Sequence, residues 1–515
     1  MAYLMGIDIG STSIKAVVYN ETGQMISEGS KPSELSFIDS DHKTWSVWEP
    51  QKIWQAVCEA VNEAMEKIAD KASVVGVAVT GFGMDGLPIS ADGQSLYPMI
   101  SWHCPRTNEV ADAFSKRVGQ AKIFDISGGQ YMAIHSIYRM MWMQQNHPEI
   151  IEKTDKWLLI EDFINFKLSG VKATDYSMAW TTSVLDQRKG DWSDELIEKS
   201  GVPRRIFPEI KQSGSVLGGV TKAAQEQTGL SGSTKVVLGG HDYICAALAT
   251  GAVDDDVVMD VTGTWEMILQ SSPVCSHDKK IFENGYYVEN HVAKDKYCFV
   301  ASTVSGDMTE WFKDNLSFEE LQIQEQQGIN VWQSLMNKAR QSGAGANGCF
   351  FLPHFSGAGT PTLDPSSLGA YIGLSNTVTK ADMIRATIEG LDYQFRQMVE
   401  ALEGALNISP SKILAVGGAT KNKFWMQNKA DVCNKVIEVP DVYEATPLGA
   451  AMLAGIGTGV YSDEAQAIKA VRKPGKLYEP DVKLADKYSE FYNDVFKDMY
   501  LALSGVNHKI FKKFK

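Results

Sequence analysis

MGIDIGSTSIKAV (residues 5–17) and VVMDVTGTWEMIL (residues 257–269) follow one plan: an apolar run, an aspartate, a turn of glycine and hydroxyl residues, then a second apolar run. Each copy predicts strand–turn–strand. The same plan in two halves of one chain predicts a duplicated fold. At 515 residues the chain exceeds one ordinary core, which agrees with two large domains. Around the first copy, YLMGIDIGSTSIKAVVYNETGQMI reads as three strands joined by turns. The next segment carries Ile53, Val57, Val61, Ala64 and Ile68 at helical spacing, with Pro50 in the first turn. SVVGVAVTGFG (73–83) is a buried strand entering a Gly-rich loop, so the opening is β-β-β-α-β. In the second half, SKILAVGGATKNKFWMQNKADVC (411–433) reads strand, Gly-Gly turn, helix. The class is α/β. The boundary is expected near residues 245–253, giving domains 1–247 and 248–480, then a helix and basic tail over 481–515. Residues 320–347 read as a helix and a flexible connection.

Charge and cysteine usage narrow the function. The net charge of −14 argues against a nucleic-acid or membrane-surface binder. No apolar run reaches the length of about 18 residues that a span needs, and the N-terminus lacks a signal-peptide pattern. Seven scattered cysteines without a CxxC pair fit a reduced cytoplasmic enzyme, neither a disulfide scaffold nor a zinc protein. Cys245 reads as a small buried helix residue rather than a nucleophile. The tail HKIFKKFK (508–515) reads as a solvated extension.

Three glycine turns and one aspartate carry the chemistry. Gly10 lets the backbone approach a ligand, and Ser11, Thr12 and Ser13 offer donors for an anion nest. Asp8 at the strand end can hold hydrated Mg²⁺, which takes few carboxylates. A plain hairpin turn is the alternative. The second turn, Asp260 to Thr264 with Gly263 and Thr264 at its tip, lets two turns clamp one polyphosphate. Gly417, Gly418 and Ala419, followed by Asn422, make either a flat floor for an adenine ring or a simple strand–helix turn. Glu444-Ala-Thr-Pro-Leu-Gly449 forms a neighbouring wall or a Pro-started helix. In GGHDYICAALATGAV (239–253), Asp242 stands at the mouth of a helix of small residues. It is an N-cap, a carboxylate aimed into a cleft, or both.

The stretch Gly369-Ala-Tyr371-Ile-Gly373-Leu374, then seven residues, then Asp382 to Glu389, resembles the C-terminal signature of the FGGY carbohydrate kinases, within the actin-like sugar-kinase superfamily. Ser136 to Gln145 is similar to the N-terminal signature, with Arg139 where Lys is usual. The resemblance covers about residues 3–480. Thr80 to Gly86, Tyr97 to Thr107, Gly240-His241-Asp242 and Gly263-Thr264-Trp265-Glu266 are most similar to members acting on L-fuculose. Departures are an inserted Gly81, His103 in place of Lys, and Gly357-Ala-Gly-Thr360-Pro361 in place of a Gly-Glu-Arg-Thr-Pro run.

The resemblance implies two duplicated actin-like (ribonuclease H-like) domains with a central cleft, and ATP-dependent phosphorylation of an open-chain ketose with Mg²⁺. Asp242 is the expected general base, with the positive helix end keeping it ionised. The expected sugar site is Gly83, Met84, Asp85, Trp102, Arg106 and His241. Arg106 either donates to hydroxyls or pairs with Asp85; Trp102 offers a flat face or is core; His241 binds sugar, orients Asp242 or is structural. Gly10, Ser11, Thr12, Gly263 and Thr264 are expected on the phosphates, Gly417, Gly418, Ala419 and Asn422 on the adenosine, and Asp8 at Mg²⁺. L-fuculose, giving the 1-phosphate, leads over rhamnulose, xylulose, ribulose and autoinducer-like sugars. A non-kinase actin-like ATPase or sugar sensor is the alternative of another class. The expected partner is a small sugar, with neither nucleic acid nor membrane. Many members are dimers, so a homodimer is an open expectation.

Overall fold

A computed structural model describes residues 2–38 and 40–515. Strands β1 (Tyr3–Ile9), β2 (Ser13–Asn20) and β3 (Met25–Pro32) form the antiparallel meander that the opening sequence predicts. The β1–β2 turn closes with the Gly10 amide donating to the Ser13 carbonyl at 3.0 Å. A Cβ at residue 10 would lie 2.7 Å from that oxygen, so the turn needs glycine. Helix α1 (Pro50–Glu66) begins with Pro50, whose missing N–H would have no helical partner there, and buries Ile53, Val57, Val61 and Ala64. β4 (Val74–Gly81) returns parallel to β1. β5 (Val216–Gly219) and β6 (Lys235–His241) follow, with β6 parallel to β4. The sheet order is β5-β6-β4-β1-β2-β3.

The second half repeats this plan. β7 (Val257–Thr262) is antiparallel to β8 (Trp265–Ser272) and parallel to β11 (Lys412–Gly417). β9 (Tyr287–Asn290) and β10 (Tyr297–Val304) extend one side. β12 (Val436–Val439) and β13 (Lys476–Tyr478) extend the other, in the order β9-β10-β8-β7-β11-β12-β13. In each half a central strand is antiparallel to its successor and parallel to a strand far along the chain. The molecule is therefore built of two duplicated actin-like domains.

Two helices of small residues fill the space between the sheets: α2 (Asp242–Thr250) and α3 (Ala445–Thr458). Their Ile244, Ala247, Leu248, Ala450 and Leu453 share one core with Leu4, Ala78 and Val237 of the first sheet and Met259, Leu269 and Leu414 of the second. Contact is backbone-close. A Cβ on Gly6 would lie 1.8 Å from the Pro447 carbonyl oxygen, and one on Gly449 would lie 1.9 Å from that of Cys245. Cys245 is buried, and all seven cysteines are free thiols.

Some expectations need adjustment. A boundary between 247 and 248 falls inside α2, which runs unbroken to Thr250 and ends at Gly251 in the left-handed region (φ 82°). The stretch 320–347 holds two helices, Phe318–Gln327 and Val331–Ala339, instead of one helix and a flexible connection. Asn330 starts the second by accepting from the Trp332 amide, and Leu335, Met336 and Ala339 anchor it in the core. The basic tail ends a helix, Lys497–Phe514. His508 lies 2.6 Å from Asp364 and Asn507 donates to the Leu368 carbonyl at 3.0 Å, so the segment is docked at its middle rather than solvated throughout. Among the described residues no helix is long and apolar enough to cross a membrane.

Candidate active site

Ile9, Gly81 and His241 are the last residues of β1, β4 and β6, and the ladder register sets Gly81 beside both of the others. Their carboxyl ends form one rim. From it rise the loop at Gly10 to Thr12, the loop at Phe82 to Met84, and Asp242 at the head of α2. In the second half Thr262 and Gly417 are register partners, and Gly263-Thr264 and Gly418-Ala419 leave from that rim. Ligands of open α/β sheets bind outside such strand ends.

Asp242 is half-buried, with 34% of its side chain exposed. It accepts from the Tyr243 amide at 2.6 Å and lies 3.8 Å from His241 Nε2. The helix end alone would hold it at or below the ordinary carboxylate range. Burial is the larger effect and lifts its pKa, against the pull of His241 and the Tyr243 amide. It is thus a stronger base than the helix end alone predicts. Asp8 is lifted further, to about 8, by burial and then by the Asp242 charge, with Lys15 opposing. Lys15 itself is bound at 2.6 Å to Glu444, at the head of α3. Of the two readings of the Glu444 segment, a helix starts there, at Ala445 with Pro447 in its first turn, whereas none of residues 444–449 lines the cavity at Gly418 and Ala419. Two carboxylates on one rim, close enough for the charge of one to act on the other, fit a cation between them. Among the described residues no three metal-ligating side chains converge. A single carboxylate with water is a usual way to hold Mg²⁺.

His241 is not a plain core histidine. Its Nδ1 is 2.6 Å from Glu289 Oε1, and Tyr243 donates its hydroxyl to Glu289 Oε2. Glu289 is fully buried on β9, in the other half of the chain. Burial by itself would lower the His241 pKa, but the Glu289 carboxylate overrides this and raises it to about 9. The ring is therefore held as imidazolium with Nε2 turned toward Gly83, where an added Cβ would come within 2.8 Å of it. Glycine at 83 keeps that space open.

The residues expected at the sugar separate into two groups. Gly83, Met84, Trp102 and His241 lie at the rim, with Met84 in the left-handed region (φ 79°) and its carbonyl held by the Ser136 hydroxyl. Trp102 is 36% exposed and stacks on His103 at 3.7 Å. Asp85, by contrast, is fully buried. Arg139 Nη2 lies 3.0 Å from Oδ1, while Trp48 Nε1 (2.8 Å) and the Trp102 amide (3.0 Å) donate to Oδ2. Oδ2 thus holds Trp48 and Trp102, Oδ1 makes no hydrogen bond, and the ion-pair partner is Arg139, not Arg106. Burial, the largest influence, puts its pKa at about 6 against the pull of Arg139. Arg106 lies 4.4 Å from the Trp45 ring and 5.2 Å from that of Trp142, with Nη2 buried and unpartnered.

On the second half a cavity of about 700 Å³ brings together Gly263, Thr264, Gly418, Ala419 and Asn422, with Trp332 and Arg340 on its walls. Asn422 uses its side-chain oxygen to cap the next helix, at 3.1 Å from the Phe424 amide and 3.2 Å from the Trp425 amide. Gly417 does not line the cavity. Its φ of 102° and the Thr262 carbonyl, 2.2 Å from where its Cβ would be, make it a packing glycine. Gly10, Ser11 and Thr12 belong to the rim of the first half and lie outside this cavity. Asp260 shares the sequence plan of Asp8 but not its place, being buried in an ion cluster with Lys429 (2.7 Å) and Glu266. Sequence reasoning missed Glu289, Tyr243, Lys15 and Arg139 as site residues. Arg139 alone carried a signal, its position in the N-terminal signature.

Comparison with known proteins agrees with this arrangement. The N-terminal domain of the FGGY family of carbohydrate kinases matches residues 3–249, and its C-terminal domain matches residues 258–458. An L-fuculokinase of Escherichia coli is 28% identical over 480 residues, covering 93% of this chain and 98% of its own. A xylulose kinase of Staphylococcus epidermidis is also 28% identical, covering 96% of each chain. The solved xylulose kinase of Lactobacillus acidophilus shares the fold, with a TM-score of 0.87 over 99% of this chain and 100% of its own at 23% identity. Duplicated domains, a carboxylate at the rim between them, and both family domains in order lead to one conclusion: the chain belongs to the FGGY family of carbohydrate kinases.

Proposed function

We propose that this kinase transfers the γ-phosphoryl group of ATP to a hydroxyl of an open-chain ketose, with L-fuculose as the substrate and its 1-phosphate as the product. The observation that carries the reading is Asp242: a half-exposed carboxylate at a helix head, made more basic by burial, on the rim beside Gly83 and within the field of Asp8. In phosphoryl transfer the bond to the leaving group loosens early, so positioning and charge neutralisation dominate. Asp242 accepts the hydroxyl proton as the new O–P bond forms. General-base help of this kind is worth roughly 10²–10⁴ in rate. His241, charged and anchored by Glu289, donates from Nε2 to a sugar oxygen. The unpartnered Nη2 of Arg106 supplies a second donor, and the exposed face of Trp102 takes the carbon chain.

The cavity at Gly263, Gly418 and Ala419 takes the nucleotide, with Gly10, Ser11 and Thr12 closing on its phosphates from the first half. Asp8, through water, would hold Mg²⁺, which neutralises phosphate charge when bound. L-fuculose rests on the E. coli relative; the equal identity to a xylulose kinase makes xylulose the second candidate. The test is a panel of ketoses in a coupled ADP-release assay on wild type and Asp242→Asn. The expected result is highest kcat/KM with L-fuculose, and a turnover at least 10²-fold lower in the variant with ADP affinity retained. A near-normal rate in the variant removes Asp242 from the mechanism. A flat or xylulose-led panel removes fuculose but leaves the base in place.

A further inference from the structure

A second cavity, of about 770 Å³, opens at the other end of the helix that carries Asp242. Asp242 heads α2; Gly251, just past its last turn, lines this cavity, as do Val253 and Asp254 of the connector between the halves. The nine-residue helix separates the two places by about 13 Å. The rest of the wall comes from the β9–β10 loop, Lys412 of β11, Glu438 of β12, helix α4 (Glu464–Val471), and the segment from Arg472 into β13. Most of the lining lies outside the matched family domains, while Ala293, Lys294, Lys296, Lys412 and Glu438 lie within the C-terminal one. The connector falls between residues 249 and 258, and α4 and its successor lie beyond residue 458.

The charge of this cavity opposes that of the chain. The protein carries a net −14, yet six cationic side chains and only three carboxylates line the wall. Each carboxylate is already engaged. Glu438 sits between Lys412 (2.8 Å) and Arg472 (2.9 Å). Asp254 holds Lys296 at 3.0 Å, and Glu464 accepts from the Lys294 backbone amide at 3.0 Å. The side chains of Lys294, Lys469 and Lys473 are left; among the described residues none makes an ion pair or a side-chain hydrogen bond. Three unpaired ammonium groups thus line one concavity whose wall carries an excess of positive charge, and an excess of one sign in a concave wall draws in anions.

We infer that this cavity binds a compact polyanion carrying three or more negative charges, held by Lys294, Lys469 and Lys473 and touching the connector between the domains. Phosphate and carboxylate groups satisfy the same three ammonium donors, so the test separates them. Pyrophosphate and, separately, citrate are titrated calorimetrically into the protein saturated with ADP, which fills the nucleotide cavity, without added divalent cation. The expected result is one saturable site for at least one of the two anions. Lys469→Glu/Lys473→Glu should weaken it at least tenfold without a change in melting temperature, since both side chains are exposed and unpaired. Lys512→Glu/Lys513→Glu on the C-terminal helix makes the same charge change elsewhere and should move affinity less than twofold. Should the Glu pair melt early, Lys469→Ala/Lys473→Ala must still weaken binding at least threefold. The inference is overturned by the absence of saturable binding of both anions to wild type. It is equally overturned if the C-terminal variant loses as much affinity as the cavity variant, or if neither cavity pair weakens binding.

Discussion

Glu289 is the residue on which the state of the site turns. It is buried, it belongs to the second domain, and its two oxygens hold the residues on either side of Asp242. His241 has a folded pKa of about 9 against 6.5 when unperturbed. A raised histidine pKa stabilises the fold fully below the unfolded value, and that contribution is lost as pH rises through the folded one. The window here is therefore pH 6.5 to 9. Glu289→Gln keeps the shape and removes the charge, leaving His241 with burial alone. Urea unfolding should then show wild type ahead by up to about 3 kcal/mol near pH 6, with the gap closing as pH passes 9. A gap that does not vary with pH would mean that the pair is not charged. The place of Asp242 at a helix head was legible in the sequence because a Gly pair and a small-residue helix frame it. The burial of Asp85 against Arg139, Trp48 and Trp102 was not, because a carboxylate in a Gly-rich loop reads the same whether it faces outward or inward. Glu289 carried no local signal at all; it meets His241 only because the two sheets pack on α2.

At the scale of elements, period-two strands and the amphipathic α1 could be read directly, since each has one buried face. The α2–α3 layer resisted such reading. Both helices are buried nearly all round, so their sequences, DYICAALAT and ATPLGAAMLAGIGT, lack an apolar stripe. What identifies the layer is the scarcity of side-chain volume. A Cβ at Gly449 would meet the Cys245 carbonyl oxygen at 1.9 Å, while one at Gly404, in the long helix Lys380–Leu406, meets nothing within 4 Å. The two glycines give opposite predictions. Gly449→Ala must push α2 and α3 apart, costing about 1–3 kcal/mol, and should lower kcat because α2 carries Asp242. Gly404→Ala should raise stability by roughly 0.5–1 kcal/mol with unchanged kcat. Thermal melts and steady-state rates on both variants check this. Similar behaviour of the two would show that the helices are not in backbone contact.

For the whole molecule, duplication places the rim at Asp242 on one domain and the cavity at Gly263 and Gly418 on the other. On the proposed reading, neither domain alone runs the reaction. The halves are joined by the connector after Gly251, by the α2–α3 layer, and by the Lys15–Glu444 pair at 2.6 Å. A small rotation about that layer would carry the Gly10 turn toward the Gly263 turn while leaving both sheets intact. Closure would remove water from the path between the sugar hydroxyl and the phosphorus, and so limit ATP hydrolysis. Each ligand alone touches mainly one half, so neither should drive closure by itself; a ligand shifts an equilibrium only by its differential affinity for the two states. Small-angle scattering should therefore give a smaller radius of gyration with sugar and a non-hydrolysable ATP analogue together than with either one. ATP hydrolysis without sugar should stay far below the rate with it. An unchanged radius with both ligands bound, together with rapid hydrolysis in the absence of sugar, would mean that the cleft works open and that the fixed rim around Asp242 excludes water by itself.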